Sequence, residues 1–498
     1  MVFTSFEYLL LFLPIACLLM AVLTRFTPET WGGGARQALI IVLSLIFYAT
    51  WKIDYLWLLL GSIIFNFSFG WLIHQNKGVS QKLILGFAVA VNLGALGYFK
   101  YTNFVVDSIN YLAGTNFFIE KIVLPLAISF FTFQQIAWLV DQYRNDAPKC
   151  TFIAYSSAVT FFPHLIAGPI VHYHDLLPQF QAKNAFQASA EQTLNGLFLI
   201  SFGVFKKIVI ADTLAPTVTQ FFDKTEVLNA YQAWLGTFGY TMQLYFDFSG
   251  YCDIAIGSAL LLGITLPLNF DLPYKSRNIQ EFWQKWHITL GDFFARYLYI
   301  PLGGSRRGSI RTLVNLFIVM FLSGIWHGAG VGFIIWGTLH GLAMVIHRAG
   351  RFLGLKTLPA RLSVFVTFMF ISLAWIPFRT ESWEKTEKVI SGLFNFEGVP
   401  VPSFIYRILP IEPEQEALSF VKILEMEHDD FRVFAITLIF AFLIVFLVPR
   451  CQVIYDRIIN RGNSWKAYGL IILSAFLLFI SLVKMVVVPY SEFIYFNF

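Results

Sequence analysis

Apolar residues run through this chain in long blocks divided by short polar or basic stretches. The blocks cover residues 8–24, 38–50, 55–73, 82–99, 122–140, 152–171, 194–211, 231–248, 254–268, 311–326, 331–347, 362–378, 433–448 and 467–488. A simple membrane span needs ~20 apolar residues, so the shorter blocks are expected to be tilted, re-entrant or paired. The pattern predicts an all-α, polytopic membrane protein with about 10–13 spans in one compact domain, residues 1–498. The first block opens at Tyr8 without a basic stretch before it or a small-residue cleavage site after it, and reads as a retained helix. No internal repeat stands out, which argues against a transporter built from inverted halves.

Composition supports the membrane assignment. Of 498 residues, 57% are hydrophobic and 13% charged, against about 25% charged in soluble domains. The net charge of +5 comes without a long Lys/Arg run, so lipid is the expected surroundings and nucleic acid is not an expected partner. Cys17, Cys150, Cys252 and Cys451 are scattered, with neither disulfide nor metal spacing. His172 and His174 alternate, but no second cluster accompanies them, and no metal site is expected.

The basic residues also orient the chain. Short loops carry Arg25 and Arg36, Lys77 and Lys82, Arg144 and Lys149, and Arg306, Arg307 and Arg311. Two further loops carry Arg348, Arg351, Lys356 and Arg361, and then Arg450, Arg457, Arg461 and Lys466. All should be cytoplasmic, which puts both termini outside, while residues 141–280 give no clean parity. Residues 379–432 hold eleven acidic against six basic residues and read as an extracytoplasmic cap insert.

Two histidines stand out against this background. On a helical wheel at 100° per residue, 281–298 place Glu281, Lys285, Asp292 and Arg296 on one side, with His287 opposite. Glu281/Lys285 and Asp292/Arg296 are acid-first i,i+4 pairs. His287 therefore points into protein from an interfacial helix, either as a core histidine bonded to a carbonyl or as a substrate contact. His327 sits where two apolar runs meet, at 323–330 (SGIWHGAG). Sixteen residues from Arg311 to Trp326 make a helix of ~24 Å, shorter than a hydrocarbon core of ~30 Å. That hairpin leaves His327 at membrane depth, up to one hydrocarbon thickness from His287. Broken, glycine-rich backbone there is tolerated only inside protein or along a cavity. An ionisable residue at that depth is a functional candidate, the alternative being a structural histidine in a tight turn. A neutral imidazole could take a proton from a hydroxyl and return it to a leaving group.

At these residues the chain resembles the membrane-bound O-acyltransferase superfamily, and within it the alginate O-acetyltransferase-like group. The matching strings are 245–253 (YFDFSGYCD), 273–277 (PYKSR), 282–288 (FWQKWHI), 297–304 (YLYIPLGG) and 326–328 (WHG). Gln284 and Lys285 stand where the usual family string has two arginines. The resemblance implies a ring of helices around a thin central region with a tunnel, His327 as the catalytic histidine and His287 as the second family histidine. It implies no bound cofactor, and a donor substrate that is acetyl-CoA or an acyl-carrier thioester on the cytosolic side of a bacterial inner membrane. The product would be an O-acetylated exported or cell-wall polysaccharide such as alginate, reached with an extracytoplasmic acetyltransferase or polysaccharide-modification partner. Trp326, Trp286, Asp253, Asp247 and Arg277 are candidates for lining the path or orienting the histidines. The two carboxylates could equally pair with Arg277, because carboxylates beside apolar runs need partners.

The tail, 490–498, adds a second signal. Five of the last six residues are Phe, Ile or Tyr, with no anchoring charge. Such a tail packs into a groove more readily than it extends into water. It resembles the terminal F-x-Y-x-x-F motif of polysaccharide acylation systems, in which tyrosine is thought to carry the acyl group. Here that residue is Tyr495, and the alternative is an aromatic interface anchor. Two other functions stay open: D-alanyl transfer to teichoic acid, and a transporter or flippase without covalent chemistry.

Overall fold

The computed structural model describes residues 1–27, 29–166, 168–380, 382–397, 428–459, 464–487 and 493–494. It is all-α: among the described residues there is no named strand, and the isolated bridge between Phe270 and Trp286 has a role at the site. The N-terminal part holds α1 (Leu13–Phe26), α2 (Glu29–Ala49), α3 (Leu56–Gln75), α4 (Gly78–Ala113) and α5 (Ile128–Arg144). Short helices follow: α6 (Phe152–Thr160), α7 (Phe162–Leu165) and α8 (Tyr173–Gln181). The middle contains α9 (Ala190–Val204), a π-helical stretch Phe205–Ala211, α10 (Asp212–Thr219) and α11 (Ala230–Leu261). Next come α12 (Ile279–Trp283), α13 (Ile288–Phe294), α14 (Ser309–His327), α15 (Val331–Phe352), α16 (Ala360–Thr380) and α17 (Trp383–Gly392). The chain then forms α18 (His428–Leu447), α19 (Cys451–Ile459) and α20 (Ser464–Val487).

Eight helices among the described residues are long and apolar enough to cross a membrane. A ninth span is possible if Phe431–Leu447 and Cys451–Ile458, which meet at 59°, count as one. The protein is thus a multi-pass membrane protein. The blocks differ in detail from the sequence pattern. Residues 152–171 hold two short helices in place of one span, and 122–127 are not helical. The blocks 231–248 and 254–268 share one 32-residue helix, α11. Only the flanks of the expected cap at 379–432 are described, and residues 398–427 lie outside the described residues.

Helix α11 is the axis of the fold, and almost every residue along it is buried. It starts with a capping box: Gln232 N–H donates to the Asn229 side chain at 3.0 Å, and Gln232 Oε1 accepts from Asn229 N–H at 3.2 Å. It stops at Gly263, whose φ of +73° supports a Schellman closure by Ile264 N–H to Ala259 O at 2.9 Å. Helix α9 crosses it at two glycine pairs. A Cβ on Gly203 would lie 2.6 Å from Gly250 O, and one on Gly196 would lie 2.8 Å from Gly257 O. Small residues at such crossings let backbones approach where lipid supplies no hydrophobic drive between helices.

The same device builds the α14–α15 hairpin. A Cβ on Gly324 would meet Phe333 O at 2.5 Å and Gly337 Cα at 2.8 Å. The link, Gly328–Gly330, is extended, so α15 returns directly beside α14. This close return fixes His327 at the tip of a rigid pair.

Candidate functional site

His327 is the last residue of α14 and is 2% exposed. Carbonyls at a helix C-terminus lack intrahelical partners and carry partial negative charge. Here α4 supplies the donors. Lys100, itself buried, hydrogen-bonds the carbonyl oxygens of Trp326 and His327, the latter at 3.2 Å. Tyr101 hydroxyl donates to Ile325 O at 2.6 Å. Lys100 is held in turn by Ser129 Oγ at 3.3 Å. The helix end is clamped through its backbone. Rings surround it: Trp326 at 4.9 Å, Trp336 at 5.0 Å and Phe378 at 5.3 Å between centroids. Trp326 is stacked on Phe133 at 4.9 Å, so it is a wall of the site.

His287 does not lie in a continuous helix 281–298. The chain breaks between α12 and α13, and His287 occupies the left-handed region with φ 47°. Pairing with 269–271 competes with the helix. Asp271 N–H donates to Lys285 O at 2.9 Å, and Ile288 N–H to Asn269 O at 3.0 Å. The Asn269 side chain completes the seat, its Oδ1 accepting from Thr289 Oγ1 at 2.9 Å and lying 3.2 Å from His287 Nδ1. An amide oxygen can only accept, so His287 carries a proton on Nδ1. His287 lies outside the membrane-spanning helices, and burial pushes its pKa down to about 3, which keeps the ring neutral. The Glu281–Lys285 pair forms at 2.8 Å. The expected Asp292–Arg296 pair does not: Arg296 reaches Asp141 at 3.4 Å and Asp146 at 3.5 Å.

The two histidines are linked through side-chain contacts and lie within the upper limit of one hydrocarbon thickness expected from the charge walk. One aromatic wall joins them. Trp286, next to His287, packs on Trp375 at 5.0 Å; Trp375 stacks on Trp336 at 5.8 Å; Trp336 meets His327. The break at His287 bends α12–α13 into the protein, where a continuous interfacial helix would have kept it at the edge.

The carboxylates of α11 pair with lysines, not with Arg277. Asp247 is bound by Lys207 at 2.9 Å, and Lys207 also holds Asp212 at 2.6 Å. Asp253 is bound by Lys206 at 2.5 Å. Arg277 is exposed, and its backbone N–H donates to Glu281 at 2.8 Å. Phe493 and Ile494 come to the same place. Ile494 N–H donates to Asp247 Oδ2 at 3.0 Å, and Phe493 is buried against Tyr251 at 4.2 Å and Phe248 at 5.9 Å. Phe248 in turn lies edge-on to His287 at 4.9 Å. Tyr495 itself lies outside the described residues.

A cavity of about 330 Å³ opens beside this network, with Lys206, Asp253, Cys252, Asn269, Tyr245 and Arg450 in its wall. His172 lies against Tyr297 at 3.4 Å and His174 pairs with exposed Asp175 at 2.9 Å. Among the described residues no group of three or more His, Cys, Asp and Glu side chains is placed to hold a metal.

Four residues at the site were not singled out from the sequence: Lys100, Lys206, Lys207 and His340. The signal was present for the lysines, since a lone cation in or beside an apolar run requires a partner. His340, one turn after Trp336 on α15, gives no such local sign.

Comparison with known proteins matches residues 116–357 to the family described as MBOAT, membrane-bound O-acyltransferase family. The chain is 42% identical over 435 residues to the peptidoglycan O-acetyltransferase of Helicobacter pylori, covering 80% of this chain and 81% of that one. It is 40% identical over 408 residues to the probable alginate O-acetylase AlgI of Pseudomonas putida, covering 80% and 81%. Similarity to the teichoic acid D-alanyltransferase of Bacillus subtilis is lower, 25% over 284 residues, covering 52% and 69%.

Proposed function

The chain belongs to the membrane-bound O-acyltransferase family, and from that premise we propose that it is an O-acetyltransferase that moves acetyl across the inner membrane. The donor is a cytosolic thioester, acetyl-CoA or an acyl-carrier protein. The end acceptor is a hydroxyl of an exported or cell-wall polysaccharide. Acetyl in preference to D-alanyl follows from the much fuller similarity to relatives named for O-acetylation.

The observation that carries the reading is a buried histidine, His327, on a helix end clamped by Lys100 and Tyr101. In the proposed step His327 takes the proton of an attacking hydroxyl. The hydroxyl oxygen bonds to the acetyl carbonyl carbon, the C–S bond breaks, and the thiolate leaves with the proton that His327 returns. His287, neutral and fixed by Asn269, lines the thioester path. The basic loops around Arg306, Arg348 and Arg450 mark the cytosolic face, and both termini lie outside.

The acetyl group then passes to Tyr495 or to an extracytoplasmic partner enzyme. A phenol with a pKa near 10 is a poor nucleophile until a base assists, and a fair leaving group afterwards. Docking of Phe493 and Ile494 on α11 supports the relay, since Phe493 packs on Phe248, which itself lies against His287. Purified full-length protein given radiolabelled acetyl donor is expected to acquire acid-stable label, and Tyr495→Phe is expected to acquire none. Equal labelling of the variant would leave the tail as an anchor only.

A further inference from the structure

Three ring nitrogens near His327 are hydrogen-bond donors without acceptors among the described residues. Trp336 Nε1, His340 Nε2 and Trp326 Nε1 are buried and have no hydrogen-bond partner among the described residues. The protonation of His340 follows from its neighbour. Trp283 Nε1 lies 3.2 Å from His340 Nδ1, and an indole N–H can only donate. Nδ1 is therefore the acceptor, and the neutral ring carries its proton on Nε2. All three orphaned atoms are thus N–H groups.

Buried donors are nearly always satisfied, and each exception needs a reason. These three share one place. The Trp336 ring is 5.0 Å from His327 and 4.6 Å from His340, and the Trp326 ring is 4.9 Å from His327. They are also rigid. Trp336 is wedged between Trp283 at 5.6 Å, Trp375 at 5.8 Å and Phe378 at 5.2 Å. Among the described residues, no carboxylate hydrogen-bonds any of these rings. The environment is rich in fixed donors and poor in acceptors, which suits an oxygen that gains negative charge.

We propose that Trp336 Nε1–H and His340 Nε2–H, with Trp326 Nε1–H, are the donors that receive the acyl carbonyl oxygen beside His327 and stabilise its charge. This rests on the reading of His327 as the acyl-transfer centre. As the hydroxyl oxygen bonds to the carbonyl carbon and its proton passes to His327, the carbonyl π pair moves onto oxygen. The donors hold that oxyanion until the C=O bond re-forms, the C–S bond breaks and the thiolate takes the proton back. Donors already in place at the moment of reaction cost no reorganisation, which is why loss of one such group lowers kcat by about 10²–10³-fold.

The test is to replace Trp336 with 3-benzothienylalanine, which keeps the ring shape and loses the N–H, and to make His340→Phe separately. Initial rates with acetyl donor and melting temperatures are measured for both, beside His327→Ala. The expected result is a kcat lower by about 10²–10³-fold in each with KM for the donor kept, and a lower melting temperature in His340→Phe alone, because that change also strips Trp283 Nε1–H of its acceptor. The benzothienyl variant is expected to melt no lower than wild type, because it removes a buried donor that lacks an acceptor. Wild-type kcat in both, with His327→Ala inactive, overturns the donor assignment and leaves the acyltransferase reading standing. Loss of kcat in the benzothienyl variant only in step with loss of its melting temperature assigns Trp336 to packing and also overturns it. An active His327→Ala overturns the reading underneath.

Discussion

His327→Ala is expected to lower acetyl transfer by about 10²–10⁴-fold, the range for loss of a positioned general base. The protein should still fold and insert. What fixes the end of α14 is the bonding of Lys100 and Tyr101 to the carbonyl oxygens of Ile325, Trp326 and His327. Alanine keeps all three carbonyls. Alanine is also the best helix former, so the helix end keeps its backbone conformation. The hairpin crossing at Gly324 and Gly337 does not involve the imidazole. Initial rates in proteoliposomes, set beside the gel-filtration profile and melting temperature, separate chemistry from folding. Wild-type rates in a folded variant would remove His327 from the reaction.

Lys207→Met is expected to be the most destabilising single change in the central helix layer, by about 3–5 kcal/mol. The lysine side chain is 2% exposed, and its partners Asp212 and Asp247 are 5% and 1% exposed. Methionine fills most of the volume but removes the cation that both carboxylates share. An uncompensated buried charge costs more than the intact pair contributed. Asp247 also accepts the Ile494 N–H, so the tail should loosen along with α11. A Lys207→Met/Asp247→Asn double variant should recover part of the loss, the coupling expected of residues in one network. The Glu281–Lys285 pair, more than a quarter exposed on both sides, is the contrast. Breaking it should cost about 0–1 kcal/mol. SDS titration of folded protein in mixed micelles measures all three. A Lys207→Met variant as stable as wild type would contradict the account of the cluster.

The membrane class and the His327 hairpin were legible because both rest on local pattern. Apolar runs flanking a glycine-rich SGIWHGAG turn can only fold back, and the structure has Ser309–His327 followed by Val331–Phe352. Long-range pairing was not legible. Asp247, Ser249, Gly250 and Asp253 interrupt the apolar pattern and suggest a loop between two spans. In the fold they lie inside one helix, because Lys206 and Lys207 reach the carboxylates across the α9–α11 glycine crossing. The break at His287 is similar. Nothing within 281–298 forbids a helix, and the competing hydrogen bonds come from Asn269–Asp271. Lys100 was hidden by position, directly after an apolar run, where a lysine ordinarily marks the membrane edge. Its actual use, capping a helix end from more than two hundred residues away, has no local trace. The aromatic wall that links His287 to His327 draws on α12, α15 and α16, and contacts between such distant segments leave no trace in a charge walk, which gave only an upper limit on the spacing.

Sidedness of transfer tests the central claim most directly. Full-length protein is reconstituted with the Arg306 and Arg450 loops facing outward, radiolabelled acetyl donor is supplied outside, and an acceptor glycan is sealed inside. The account predicts label carried to the enclosed side, on Tyr495 or on the glycan, while the thiol product stays outside, and a label lower by about 10²–10⁴-fold with His327→Ala. Acetylation confined to acceptors on the donor's own side of the membrane would contradict it.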